Sequence, residues 1–210
     1  GDNAANIYIE NFKLEQTLDQ RLLDDQSTSL GQGQLHVRDC YVVYHNTTAG
    51  VPAFRVRNKI FRMERCHCSH ADGQSSCTYN QAWVGHAPQS GTEEHQSVYI
   101  GDCYFKYGGK LFTGASDATY KLQDLQIVRN HCDSVGYSPS GVDIGYLISV
   151  ADCRNLIVSE NLVDGMSATN NNTAKFLVVY NEPTGNVEIS RNLVFDGVLI
   201  TPSGGGHYMV

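Results

Sequence analysis

Apolar positions recur along this chain in one eight-residue pattern. The clearest copies are Asn155–Asp164 and Asn186–Asp196. Counted from the first apolar residue, slots one, three and eight are apolar, and slot six is Asn or Cys in every copy after the first. Copies begin at Ile7, Leu35, Phe61, Val98, Leu125, Leu156 and Val187, so successive starts are 28, 26, 37, 27, 31 and 31 residues apart. Alternation with period two inside each copy predicts a strand, because successive side chains of a strand point to opposite faces. A recurring unit of this length predicts a solenoid, in which each unit buries its apolar side only by stacking on its neighbours. No amphipathic helix-length run joins the copies, so the crossover helices of ordinary parallel βα units are excluded. Shorter apolar runs recur between copies at Ala53–Val56, Ala82–Gly85, Lys110–Thr113, Tyr146–Val150 and Lys175–Tyr180. Together these predict an all-β, right-handed, single-stranded parallel β-helix of about seven coils with a three-sided cross-section.

Slot six supports the stacking independently. It reads Phe12, Cys40, Cys66, Cys103, Asn130, Asn161, Asn192, three thiols and then three amides. Equivalent residues of successive coils lie about 4.8 Å apart in such a fold. Stacked Asn can then hydrogen-bond along the column, while Cys is expected to fill the same line as a small apolar side chain.

Composition narrows the reading. A chain of 210 residues can bury a sizeable core as a single domain spanning 1–210. Charged residues make up 18% and glycine is plentiful at 20, a turn-rich β composition. A net charge of −7 disfavours a nucleic-acid partner, which needs a basic surface, and no apolar run is long enough for membrane insertion by a helix. Five of the seven cysteines fall in interior slots, which predicts reduced thiols and folding in a reducing cytoplasm. The uncapped first and last coils predict a fragment of a longer chain, with His207–Val210 beginning another coil. Gly204–Gly206 reads as a tight corner. The long third interval marks an inserted loop region at 69–96 that carries the only tryptophan, Trp83.

Slots two and four should face outward. In the N-terminal coils they hold Tyr8, His36, Arg62 and Tyr99, and Glu10, Arg38 and Glu64. An aromatic and charged face along stacked strands suits an extended polymer such as a polysaccharide. The candidate substrate-binding residues are therefore Tyr8, His36, Arg38, Arg62, Tyr99 and Trp83. Glu10 and Glu64 stand two coils apart, about 9.5 Å between Cα atoms, within reach of the carboxyl separation of inverting glycosidases. Glu64, Glu10 and Asp102 are the candidate catalytic acids, set against a plain charge ladder running Glu10–Arg38–Glu64. Outward Val128 and Ile157 suggest subunit contact on the C-terminal coils. The cluster Cys66, His67, Cys68, His70 and Cys77 alternates inward and outward slots and lacks the spacing of a zinc module, so neither metal nor cofactor is expected.

The repeated apolar-x-apolar-x-x-Asn-x-apolar motif, above all Asn155–Gly165 and Asn186–Gly197, resembles the pectate-lyase-like right-handed β-helix superfamily, and within it a bacteriophage tailspike. That resemblance implies a homotrimer, worn on a virion or otherwise extracellular, that binds and often cleaves a bacterial surface polysaccharide (capsule or O-antigen). A glycoside hydrolase or polysaccharide lyase is one expectation, and a non-catalytic receptor-binding or structural shaft is the other. The chain lacks the superfamily's Asn-Thr-Asp, Gly-His-Gly and Arg-Ile-Lys signatures and its acidic calcium cluster, so no catalytic residue is carried over by motif.

Overall fold

The computed structural model describes residues 6–16, 21–24, 31–45, 51–56, 58–71, 82–86, 96–114, 122–135, 146–151, 153–164, 175–180, 183–195 and 198–200. Among these residues every regular element is a strand, and the strands form three parallel sheets of seven. The first sheet is Ile7–Glu10, Gly31–Arg38, Asn58–Glu64, Gln96–Gly101, Leu122–Val128, Cys153–Ser159 and Val187–Ser190. The second holds Lys13–Glu15, Tyr41–Tyr44, His67–His70, Tyr104–Lys106, His131–Asp133, Leu162–Asp164 and Leu193–Val194. Leu23–Asp24, Phe54–Val56, Ala82–His86, Lys110–Gly114, Tyr146–Val150, Lys175–Val179 and Val198–Ile200 make the third. The chain visits the sheets in rotation, so each coil lies directly on the one before. This is a right-handed parallel β-helix.

Register places the repeats where the pattern predicts them. Leu35 pairs with Ile7 and Phe61, and Leu125 with Val98 and Leu156. Slots one and three of the middle coils are fully buried, including Phe61, Met63, Ile100, Leu125 and Ile127. The third sheet adds an interior column of Phe54, Val84, Phe112, Ile148 and Leu177. Each such side chain contributes about 1.5–3 kcal/mol by leaving water. The short runs expected between copies are the third-sheet strands, and slots seven and eight belong to a separate second sheet. The region 69–96 contains the strand Ala82–His86, while 72–81 and 87–95 lie outside the described residues, as do Gly204–Gly206 and His207–Val210.

Slot five makes the corner between the first two sheets. Asn11, Asp39, Arg65, Asp102, Arg129, Glu160 and Arg191 all adopt positive φ, between 50 and 60°. The amide of slot five donates to the slot-four carbonyl of the next coil, as Asp102 does to Val128 at 3.1 Å. The amide of slot seven donates to the slot-six carbonyl of the preceding coil, as His131 does to Cys103 at 2.9 Å. Between them, at Cys66, Cys103, Asn130 and Asn161, the slot-six side chain of the next coil accepts the slot-six amide. Asn130 donates to Asn161 Oδ1 at 3.0 Å, Asn161 to Asn192 Oδ1 at 3.1 Å, and Cys103 to Asn130 Oδ1 at 3.1 Å.

The thiols obey the same rule, which corrects the expectation that they fill space without partners. The Cys66 amide donates to Cys103 Sγ at 3.4 Å. Cys66 Sγ donates to the slot-three carbonyl of the preceding coil, Val37, at 3.6 Å, just as Asn161 Nδ2 does to Ile127 at 2.8 Å. Cysteine can therefore stand in for asparagine here as a weaker donor and acceptor. All six described cysteines are free and buried. Burial pushes the Cys132 and Cys153 thiols up to about 12.

Candidate functional site

The first sheet brings most of the candidate residues onto one face. Tyr8, His36, Arg62 and Tyr99 stack in consecutive coils by register. The Tyr8 and His36 rings lie 4.9 Å apart, and the Arg62 guanidinium sits 4.7 Å from the centroid of Tyr99. Tyr8, at one end, is 57% exposed. Burial, followed by the charge of Arg62, holds His36 below its ordinary pKa. His36 donates through Nε2 to Gln34 Oε1 at 3.1 Å. The column is thus continuous, aromatic and cationic, and spans four coils, about 14 Å from end to end by strand spacing.

Beside it runs the slot-four row. Glu10, Arg38 and Glu64 are stacked as expected. Arg38 Nη2 contacts Glu10 Oε1 at 2.6 Å, but Glu64 takes its own-strand partner, Arg62, which donates through Nε at 3.0 Å and Nη2 at 2.6 Å. Each carboxylate is therefore already held by a guanidinium. In the next coil the row is Gly101, where a Cβ would collide with the Tyr99 ring lying over it. That close approach explains the glycine.

Asp102 is not on this face. It sits at the positive-φ corner in a two-pronged pair with Arg129, at 2.7 and 2.8 Å. The Arg129 hydrogen bond holds the Asp102 carboxyl below the usual range. Arg129 also donates to Tyr99 Oη at 3.0 Å, so the corner braces the column. Trp83 is the clearest departure. It is 3% exposed, on a third-sheet strand between Tyr44 and Phe105, and its Nε1 donates to the Tyr107 carbonyl at 3.4 Å. It belongs to the interior, because an indole on a strand between two apolar walls packs rather than projects. Val128 is likewise buried within the chain and offers no surface for a second subunit.

Two polar columns flank the face and carry residues that slots two and four do not include. The residue before slot one gives Ser97, Asp124 and Asn155. Ser97 Oγ donates to Asp124 at 3.1 Å, and Asn155 Nδ2 to its other oxygen at 2.7 Å. Between this column and Arg62, Tyr99 and Gln126 lies a cleft of about 170 Å³. The corner column alternates in sign, Asp39–Arg65 at 2.7 Å, Asp102–Arg129 at 2.7 Å and Glu160–Arg191 at 2.5 Å. Reading every slot of the repeat, rather than two outward ones, would have found both.

The second sheet presents a ladder of its own. Tyr41, His67, Tyr104 and His131 follow one another at 4.8, 4.9 and 5.0 Å between ring centroids. Tyr41 and His67 lie nearly parallel, so those ring faces are covered by each other and their edges meet solvent. Among the described residues no group of His, Cys, Asp and Glu could hold a metal ion.

These features define a parallel β-helix compatible with the pectate-lyase-like fold, with one aromatic–cationic face. No family model matches the chain, and neither do any curated protein and any solved structure.

Proposed function

We propose that this β-helix binds a bacterial surface polysaccharide, a capsule or O-antigen, along the first-sheet face. The observation that carries the reading is the column Tyr8–His36–Arg62–Tyr99. It offers ring faces, guanidinium donors and a ring nitrogen at a regular spacing along one axis, which matches the repeat of an extended glycan better than a compact ligand. In this reading the chain is the receptor-binding element of a tailspike-like homotrimer on a phage virion.

Binding without cleavage is favoured at this face over hydrolysis by Glu64 and Glu10. A retaining or inverting pair needs one carboxyl free to donate a proton and another free to accept or attack. Here both are occupied by Arg62 and Arg38. Calorimetry on purified capsular polysaccharides tests the reading. Arg62→Ala and Tyr99→Ala should each weaken binding roughly tenfold, about 1.4 kcal/mol. Glu64→Gln should leave the glycan bound. A double variant that binds like the wild type would sink the assignment, and sedimentation as a monomer would sink the trimer.

A further inference from the structure

The second sheet carries a cleft that the first-sheet face does not use. Register stacks two outward columns over the same four coils: Lys13, Tyr41, His67 and Tyr104 in one, Glu15, Val43, Ser69 and Lys106 in the other. The second column changes size along its length. Glu15 and Lys106 at its ends are long, whereas Val43 and Ser69 between them are short, so a trough opens over the short pair. Its volume is about 540 Å³, and Tyr41, His67 and Tyr104 wall one side of it. That lies within the roughly 300–1,000 Å³ of small-molecule sites.

Three hydrogen-bond donors meet at the Lys106 end. His67 and Ser69 stand two residues apart on one strand and face the same side, about 6.6 Å between Cα atoms. Lys106 pairs with Ser69 in the adjoining strand, about 4.8 Å away. Among the described residues neither the Ser69 hydroxyl nor the His67 ring makes a hydrogen bond. Lys106 Nζ stands 4.0 Å from Asp133 Oδ2, too far for a hydrogen bond. Asp133 is already claimed: Tyr104 Oη donates to that oxygen at 2.7 Å and Ser134 Oγ to the other at 2.8 Å. Burial, followed by the Lys106 charge, holds His67 below its ordinary pKa, so at neutral pH its ring is uncharged and offers one N–H. The cluster therefore presents one positive charge, one hydroxyl and one ring N–H to the same cleft.

We propose that this cleft binds a phosphorylated sugar, with its phosphate monoester seated on Lys106, Ser69 and His67 and its ring lying over Val43 beside Tyr41. Three donors match the three terminal oxygens of a phosphate monoester better than the two oxygens of a carboxylate. Lysine meets such a group as a point charge, without the fixed fork of a guanidinium. A nucleotide fits less well, because the Tyr41 and His67 ring faces cover each other and leave a base no platform to stack on. A sugar needs no such platform: its C–H groups meet the buried, apolar Val43 while its hydroxyls face the polar rim. The site shares no residue with the first-sheet column, so either assignment can fail without the other.

NMR titration and calorimetry test this, with glucose, mannose and galactose each esterified with phosphate at the primary hydroxyl. At least one ester should move the His67, Ser69 and Lys106 resonances and leave those of Tyr8 and Tyr99 in place. Lys106→Met should weaken its binding about tenfold and Ser69→Ala about threefold, with the circular dichroism unchanged, and Arg62→Ala should leave it unaltered. Inorganic phosphate and the unphosphorylated sugar should each bind at least about tenfold more weakly than the ester. No shift at those three residues with any ester overturns the proposal, and so does Lys106→Met binding like the wild type. Inorganic phosphate binding as tightly as the ester overturns it too, because the cleft is then an anion site with no use for a sugar. A phosphorylated mannan and its dephosphorylated form separate the two sources of the ester. Tighter binding of the phosphorylated polymer, lost in Lys106→Met, supports an ester borne on a glycan. Binding of a free ester with no distinction between the two polymers supports a soluble sugar phosphate.

Discussion

Replacing Asn161 tests the corner rule directly. Asn161 is 2% exposed and its Oδ1 accepts both the Asn130 amide and Asn130 Nδ2, each at 3.0 Å. Its Nδ2 donates to Ile127 O at 2.8 Å, Asn192 Oδ1 at 2.9 Å and Ser159 O at 3.1 Å. Asn161→Ala strands the Asn130 amide in the interior, whereas Asn130 Nδ2 keeps Ile100 O at 3.0 Å and Ser159 O keeps the Arg129 amide at 3.0 Å. One orphaned buried donor costs about 1–3 kcal/mol, and the remaining lost bonds add about 1 kcal/mol, so the total is about 2–4 kcal/mol. For a chain of this length that is a fall of roughly 5–12 °C in Tm.

Asn161→Cys is the informative partner to that variant. In this slot Cys103 Sγ accepts a backbone amide at 3.4 Å and donates to Gly101 O at 3.2 Å, so a thiol can make both bonds, each weaker. Cysteine should therefore recover about half the loss. Urea unfolding gives the energies, and hydrogen exchange at the Asn130 amide gives the local readout. Protection there should vanish in the alanine variant and persist in the cysteine one. Equal destabilisation by Ala and Cys, or an Asn130 amide that stays protected in Asn161→Ala, would show that the column is filler and the rule wrong.

The remaining predictions concern strain, burial and charge. Glu160→Gly removes a left-handed side chain at φ 58, worth about 1 kcal/mol, and gives up only an exposed pair with Arg191; it should be neutral or stabilising in urea, and Glu160→Val should be worse than both. Gly101→Ala should displace Tyr99 from over the strand, cost about 1–3 kcal/mol and weaken glycan binding, read together by unfolding and calorimetry. Burial depresses His86 from 6.5 to about 4. A depressed histidine is protonated first in the unfolded chain, so stability is intact above pH 6.5, falls through the window down to about 4 and then levels off. Near pH 5 the loss is about 2 kcal/mol, and His86→Gln should remove that slope from the urea midpoint.

The fold was legible because the interior of a solenoid repeats one environment per coil. Leu156, Val158 and Asn161 meet the same neighbours as Val187, Ile189 and Asn192, so the same residue types recur and the period appears in the chain. Trp83 was misplaced because the long interval 69–96 was read as an inserted loop that presents it, although the run Ala82–Gly85 inside that interval was itself expected to be a strand. The structure shows a third-sheet strand there, pairing with Phe54–Val56 and Lys110–Gly114. Asp102 was misread for a different reason. A carboxylate in a polar run looks like any other until the backbone is known, and only its φ of 57 and its Arg129 partner make it a corner residue.

The same regularity limits how function can be read from the outward slots. An inward position is fixed by packing against the coils above and below, whereas an outward one needs only a compatible neighbour in the ladder. Glu64 illustrates the latitude: stacking offers it Arg38, yet it takes Arg62 from its own strand, which swings that guanidinium into reach of both Glu64 and the Tyr99 ring. Which partner wins cannot be counted from spacing, because both are one strand-step away. The third-sheet contact of Lys110 with the Tyr146 ring escapes the repeat for the opposite reason. Lys110 and Tyr146 stand in one third-sheet column, two residues before Phe112 and Ile148, but that column runs Ala82, Lys110, Tyr146, Lys175, so no residue type recurs from one coil to the next and no period shows in the sequence.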